Sequence, residues 1–211
     1  MTLMKSIPCD IVLLPEVALA NRAFSASQKL AQFGSLFVLE DGKFYPHMSL
    51  YMFQLNTDDI SKVEEVLQQI ANGFSAVSAE ANRYFLGQGH AEGYLDPEFI
   101  ASDELHAIQN AVVEAVNPVR AGMREKDVVK MKEATGVKLE NFKKYGYPSI
   151  GELFRPHMTL TRLDGRKPEA LDVLPDISEF DGVFDGIGLF EMGDNGTCIR
   201  KVLEFPLSLT K

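Results

Sequence analysis

Two near-identical pentapeptides constrain the fold of this chain more than any other feature. Residues 46–50 are Pro-His-Met-Ser-Leu and residues 156–160 are Pro-His-Met-Thr-Leu, so the segments differ only by an exchange of serine for threonine. They contain two of the four histidines in the chain, His47 and His157. Repetition of this kind favours two similar halves that present the same side chains.

The apolar pattern predicts strand, helix, strand, helix and a strand pair in each half, which is an α+β fold. In both halves the motif histidine precedes the next helix start, Asp58 or Pro168, by eleven residues. The first helix ends at Gly34. Its predicted core face consists of Val17, Ala20, Phe24, Leu30 and Phe33.

Each pentapeptide is predicted to begin a strand, in which successive side chains point to opposite faces. One face then carries polar side chains toward a cleft, and the other packs into the core. The predicted cleft-facing residues are His47, Ser49, Tyr51, His157, Thr159 and Thr161. Strict alternation places Arg162 on the opposite face of the second strand.

This combination suits cleavage of a phosphodiester. Two imidazoles with an ordinary pKa near ~6.5 can divide the roles of general base and general acid at neutral pH. A hydroxyl two residues farther along a strand lies about 7 Å away and can donate to a phosphate oxygen. For one such histidine alone, a structural role would be the simpler interpretation, but two matching sites favour chemistry.

His-Met-Ser-Leu at 47–50 and His-Met-Thr-Leu at 157–160 resemble the paired motifs of the 2H phosphoesterase superfamily. That group includes enzymes called 2′-5′ RNA ligases and 2′,3′-cyclic nucleotide phosphodiesterases. The resemblance implies one bilobal domain over residues 1–211, with a pseudo-twofold axis, antiparallel sheets lining a central cleft and helices outside. It also implies metal-independent chemistry.

The motif match implies a role for each matching residue. His47 and His157 become the catalytic acid/base pair, and Ser49 and Thr159 become the phosphate-binding hydroxyls. Tyr51, Thr161 and Arg162 are further candidates for substrate binding. A plain packing role for Tyr51 and a structural salt bridge for Arg162 remain open alternatives.

Charge limits the class of substrate. The formal net charge is −9, which disfavours binding along a long nucleic acid. Residues 120–167 nevertheless hold 12 basic and 6 acidic side chains. This concentration of positive charge favours a small anionic substrate, and the resemblance implies a nucleotide-like molecule or an RNA terminus.

Much of this positive charge lies in a lysine-rich insertion at about 118–155. A helix is predicted over about 126–133, with Gly136, Gly146 and Pro148 interrupting the remainder. Long insertions of this kind are often functional. The segment around Tyr145-Gly146-Tyr147 could form a lid over the cleft or a solvated loop.

Cys9 and Cys198 fit neither a CxxC pattern nor a zinc-ligand spacing. His90, which we expect to be a solvated residue of a glycine-rich turn, and His106 do not complete a metal triad with a carboxylate, so no metal and no cofactor are expected. Asp10, Pro15 and Glu16 interrupt the apolar N-terminal stretch, which argues against a signal peptide. We expect a reduced, cytoplasmic monomer that does not associate with a membrane.

The leading hypothesis is a hydrolase for a cyclic phosphodiester, either a 2′,3′-cyclic phosphate or a related 2′-5′ linkage, with 2′-5′ RNA ligase-like activity left open. One alternative is a non-catalytic binder of a phosphorylated small molecule. Another is a cyclic phosphodiesterase that acts on a non-RNA sugar phosphate.

Overall fold

The computed structural model describes residues 5–208 and has an α+β fold with antiparallel sheets, as the sequence predicts. The described strands are β1 (Ser6–Pro15), β2 (Met48–Asn56), β3 (Val77–Ala79), β4 (Ala81–Leu86), β5 (Tyr94–Phe99), β6 (Thr161–Arg162), β7 (Gly182–Met192) and β8 (Cys198–Pro206). The described α-helices are α1 (Val17–Leu30), α2 (Ile60–Gly73), α3 (Asp103–Val116), α4 (Glu125–Met131) and α5 (Gly136–Tyr145).

Two sheets divide these strands. The first has the order β2-β1-β7-β3, with β8 also paired to β7, and the second has the order β4-β5-β6. Strand β1 lies between β2 and β7, and its residues Ile11, Val12 and Leu13 are fully buried. Continuous apolar sequence suits a strand covered on both faces. One large hydrophobic cluster packs against both sheets.

The helices pack through apolar faces that the sequence predicts with uneven success. Helix α3 begins after Ser102, whose hydroxyl accepts a hydrogen bond from the backbone N–H of Leu105. The predicted face of α1 is wrong at its start, since Val17 is 78 % exposed. The buried stripe instead follows Leu19, Ala23 and Leu30. Val17 precedes Leu19 by two residues, which places it on the opposite side of the helix.

The insertion contains two helices rather than the single predicted one. Helix α4 covers most of the predicted segment, and α5 follows it. Gly136, expected to interrupt a helix, instead begins α5 with a positive φ of 56°. Gly146 ends that helix in a left-handed conformation, which glycine adopts without steric penalty. In residues 5–208, no helix has both the length and the apolar character needed to cross a bilayer.

Candidate active site

The first motif lies at a bulge in the pairing of β1 with β2. Val12 pairs with Ser49 and Ile11 pairs with Tyr51, so Leu50 is an extra residue on β2. A bulge of this kind shifts the alternation of side chains by one position. Ser49 therefore faces the cleft, whereas Tyr51 turns into the core and Met52 takes the next cleft position.

The second motif repeats this irregularity. His157 bridges to Glu98 and Thr161 pairs with Leu95, so four steps along the motif match three steps along β5. The strand that this motif is predicted to begin is accordingly regular only at β6. Thr159 faces the cleft, and Leu160 and Thr161 are both fully buried.

The two motifs meet back to back at an antiparallel bridge between Met48 and Met158. This contact joins the two sheets, and the motif side chains then open onto one cavity of about 730 Å³. The structure brings His47, Ser49, His157 and Thr159 around this cavity. The size is sufficient for a nucleotide-sized ligand.

Both imidazoles are held in the same way by the main chain. The Nδ1 atom of His47 lies 2.8 Å from the carbonyl oxygen of Tyr45, and that of His157 lies 2.6 Å from the carbonyl oxygen of Arg155. A carbonyl oxygen can only accept, so each Nδ1 carries the proton and donates it. Each Nε2 is left with a free lone pair when the ring is neutral.

Burial favours the neutral form of both rings. It lowers the pKa of His47 to about 4, opposed by the hydrogen bond to the carbonyl of Tyr45. Burial also lowers the pKa of His157, and the negative charge of Asp96 partly offsets this. Neutral imidazoles are competent to accept a proton at neutral pH.

Asp10 is a buried carboxyl group beneath the first motif that the sequence reasoning did not select. Its Oδ2 accepts a hydrogen bond of 2.6 Å from the Ser49 hydroxyl and lies 4.0 Å from Nε2 of His47. Burial raises the pKa of Asp10 to about 7, while the hydrogen bond from Ser49 opposes the shift. The sequence does contain a signal for Asp10, because it is a charged residue inside the apolar strand sequence 9–14. A buried strand rarely carries an unpaired charge, so such a residue suggests a role in a site.

Carboxylates beneath the second motif are paired with arginines instead. The guanidinium of Arg155 donates to Asp96 at 2.9 Å and to Glu98 at 2.5 Å, and Arg83 also donates to Glu98. Burial alone would raise the pKa of Glu98, but these arginines bring it below its usual range. The second motif therefore lies beside carboxylates whose negative charges are balanced by arginines.

Two of the candidate substrate contacts are not at the cavity. Tyr51 is fully buried and its hydroxyl donates to the carbonyl of Tyr145 at 2.7 Å. Thr161 is also fully buried, and its hydroxyl donates to the carbonyl of Phe37. Both placements correct the prediction of strict alternation and follow from the bulges.

Arg162 lies behind the cavity wall. Its guanidinium donates to Oδ1 of Asn195 at 3.0 Å and stacks over the ring of Tyr94 at 4.8 Å. Tyr94 and Asn195 both line the cavity, as does His90, which was expected to be a solvated turn residue. Arg162 thus supports two lining residues that sequence reasoning missed.

The insertion forms one wall of the cavity. Arg124 is buried and bound to Asp127, whereas Lys126, Lys130 and Lys138 also line the wall. None of these three lysines takes part in an ion pair among residues 5–208. Partial burial, with Arg124 nearby, lowers the pKa of Lys126 to about 8. This wall presents unpaired positive charge to an anionic ligand.

One group of side chains has the composition of a metal site. Asp10, His47 and Cys198 are buried, and their potential ligand atoms all lie within 4.8 Å of one another. Tyr147, from the segment considered as a lid, also lines the cavity above this region.

Comparison with known proteins supports the fold. A family model described as a protein of unknown function (DUF1045) matches residues 95–177, which include the second motif but exclude the first. A search of curated proteins finds no match. TT0787 of Thermus thermophilus has a TM-score of 0.60 at 13 % identity, over 95 % of this chain and 98 % of that chain.

Escherichia coli LigT is a second structural relative. Its complex with ATP has a TM-score of 0.56 at 10 % identity, over 97 % of this chain and 99 % of that chain. Its complex with 3′-AMP has a TM-score of 0.53 at 12 % identity, with the same coverage. At identities this low, the structural similarity establishes the fold alone. It confirms the fold expected from the resemblance to 2H phosphoesterases.

Proposed function

We propose that this protein is a 2H-type phosphoesterase that hydrolyses a cyclic phosphodiester, such as the 2′,3′-cyclic phosphate of a nucleotide or RNA end. One observation carries the proposal: two imidazoles with the same tautomer line one cavity, each followed by a hydroxyl at the cavity wall. This arrangement supplies two proton-transfer groups and, through the Thr159 hydroxyl, a hydrogen-bond donor for one phosphate, while the Ser49 hydroxyl donates to Asp10.

The chemistry follows from the two free Nε2 atoms. One neutral imidazole accepts a proton from water as the water oxygen attacks phosphorus. The phosphorus–oxygen bond to one ribose oxygen breaks, and the second imidazole, protonated, gives its proton to that oxygen. A bound phosphate anion favours the protonated form of this second ring, because opposite charge raises the pKa of an imidazole. The hydroxyl of Thr159 donates to a non-bridging oxygen.

The insertion wall supports a small anionic substrate. Lys126, Lys130 and Lys138 contribute positive charge at the cavity rather than along an extended surface. LigT is known in complexes with ATP, with 3′-AMP and with phosphate, and a ligand of this class fits the dimensions of the cavity here. We infer that the substrate is nucleotide-like or a short RNA terminus.

Turnover of 2′,3′-cyclic nucleotides by purified protein, with a metal chelator present, tests the proposal. The wild type should hydrolyse the substrate, and His47→Ala and His157→Ala should each lose turnover. His106→Ala is the matched control, because His106 packs against Phe154 and does not line the cavity. Loss of activity with chelator, or full activity in either cavity variant, would contradict the proposal.

The same experiment separates the alternatives. Binding without turnover across a panel of cyclic phosphates would favour a non-catalytic binder. Turnover of a sugar cyclic phosphate but not of nucleotides would retain the mechanism and change the substrate. The 2′-5′ linkage and ligase-like activity are assayed with a 2′-5′-linked dinucleotide and with RNA half-molecules.

Organisation and location accompany this proposal. We infer one bilobal domain over residues 1–211, and the hydrophobic cluster that both sheets share supports this assignment. A monomeric state and a cytoplasmic location stay predictions.

A further inference from the structure

Behind His47 lies a buried pocket of three different ligand types. Asp10 and Cys198 are fully buried and His47 is 8 % exposed. The carboxylate, imidazole and thiol atoms all lie within 4.8 Å of one another. Proteins hold zinc with this mixture of oxygen, nitrogen and sulfur, whereas magnesium and calcium prefer oxygen alone.

Asp10 has one oxygen without a partner. Its Oδ2 accepts from Ser49, but Oδ1 is buried and has no hydrogen bond among residues 5–208. An unsatisfied buried carboxylate oxygen is unfavourable, because it loses water without replacing it. A cation bound at this oxygen would restore the missing interaction.

The other two ligands are already oriented. The Nδ1 of His47 donates to the carbonyl of Tyr45, which leaves Nε2 available for a metal. The backbone N–H of Tyr45 in turn donates to the carbonyl of Cys198 at 3.2 Å, so the histidine segment is fixed beside the cysteine. Cys198 has a free thiol and packs against Val12 and Phe190. Ligands with such supporting contacts are typical of built metal sites.

The geometry points to a binding site for Zn²⁺, or for another thiophilic divalent ion, formed by Asp10, His47 and Cys198. Zinc lies about 2.0–2.3 Å from such ligands, so tetrahedral ligand atoms are roughly 3.3–3.8 Å apart. The three potential ligand atoms lie within 4.8 Å of one another, so modest side-chain adjustments bring them to this spacing.

This ion would inhibit the enzyme, an inference that rests on the proposed function. It would occupy the Nε2 lone pair of His47, which the proposed reaction needs for proton transfer. Metal binding requires the thiolate, so the Cys198 thiol would release its proton to solvent. The protein would therefore lose activity as zinc rises and recover it when a chelator removes the ion.

Metal binding can be measured without turnover. Chelator-treated protein is titrated with Co²⁺, which should produce the near-ultraviolet charge-transfer band of a thiolate–cobalt bond, and Zn²⁺ should abolish that band. Cys198→Ala should lose the band. Cys9→Ala is the matched control, because Cys9 is equally buried but belongs to the main core. Absence of the band in the wild type, or its loss in Cys9→Ala, would overturn the site, even if Cys198→Ala failed to fold.

Inhibition is measured in the same three proteins with 2′,3′-cyclic nucleotide as substrate. Zinc should inhibit the wild type and Cys9→Ala at the same concentration. In Cys198→Ala, basal turnover should persist and the inhibitory zinc concentration should rise at least about tenfold. Equal inhibition of all three, or activation by zinc, would overturn the inhibitory role. If no protein turns over the substrate, the proposed function fails while the cobalt spectrum still decides the site.

Discussion

The first and second motif regions share a backbone but differ in their charged surroundings. Both motifs carry one extra residue relative to the partner strand, and both hold Nδ1 through the carbonyl two residues earlier. Beneath the first motif, however, no lysine or arginine of residues 5–208 lies at hydrogen-bond distance from Asp10. Beneath the second, Arg155 binds both Asp96 and Glu98.

The two halves therefore share the geometry of the motifs and differ in their electrostatics. The hydroxyl of Ser49 is engaged by Asp10, whereas Thr159 faces the open cavity. Each half can therefore be perturbed separately. We expect turnover to depend on the backbone geometry that the motifs share. We expect stability and pH response to depend on the charges in which they differ.

Removal of either imidazole tests the geometry that the two motifs share, and it should have the largest effect. His47→Ala and His157→Ala should each lower kcat by about 10²–10⁴-fold, because each removes general acid–base catalysis. The double variant should be little worse than either single variant, since the two rings act as a unit. Fully multiplicative losses in steady-state kinetics would show that the two sites work independently.

Removal of the second motif's cation should mainly affect stability. Arg155→Met leaves buried Asp96 without its arginine and leaves Glu98 with Arg83 alone. It should lower the free energy of unfolding by about 2 kcal/mol, since Arg155 is partly exposed and water can replace some of its contacts. Lys126→Met, which breaks no ion pair, should change it by less than about 0.5 kcal/mol. Urea denaturation measures both, and equal losses would contradict the asymmetry.

The two motif hydroxyls should separate stability from turnover. Ser49→Ala removes the hydrogen bond to Asp10 and should destabilise the protein by about 1–2 kcal/mol. Thr159→Val should leave stability within about 0.5 kcal/mol, because its hydroxyl faces the cavity. It should instead lower kcat by about tenfold through loss of a phosphate donor. Thermal unfolding and steady-state kinetics on the same preparations measure both effects. Destabilisation by Thr159→Val, with full stability in Ser49→Ala, would contradict this prediction.

The smallest effect concerns pH and the insertion wall. The pKa of Lys126 is lowered to about 8, so its positive charge is present below that pH and lost above it. As the pH rises through this pKa, KM for an anionic substrate should rise by a factor of about five. This factor corresponds to a loss of about 1 kcal/mol in binding free energy. Lys126→Arg should flatten the rise, because the guanidinium stays protonated. If KM of Lys126→Arg rises with pH as steeply as KM of the wild type, Lys126 does not take part in substrate binding.

Sequence reasoning found the parts of the site that are encoded by residue identity. The paired pentapeptides identify His47, His157, Ser49 and Thr159, and the structure places these four around one cavity. The α+β class follows from apolar periodicity and is confirmed. The local charge excess also anticipates a basic wall beside the cavity.

The parts that sequence reasoning missed depend on register. A single extra residue in each motif strand reverses the faces that alternation predicts, which moves Tyr51 and Thr161 into the core. Such a bulge depends on how two strands pair and has no local signature in either motif. Asp10 and Asp96 were missed because they lie on the neighbouring strands, and pairing alone brings them beneath the motifs.

The main-chain hold on each histidine bears on how such a site can evolve. A carbonyl oxygen is present whatever side chain occupies positions 45 and 155, so substitution there does not by itself alter the tautomer of the imidazole. Those positions are free to acquire other tasks, and they have done so differently. Tyr45 packs against Phe190, whereas Arg155 neutralises a carboxylate pair. The tautomer of each imidazole can therefore stay constant while the surroundings of the two halves differ.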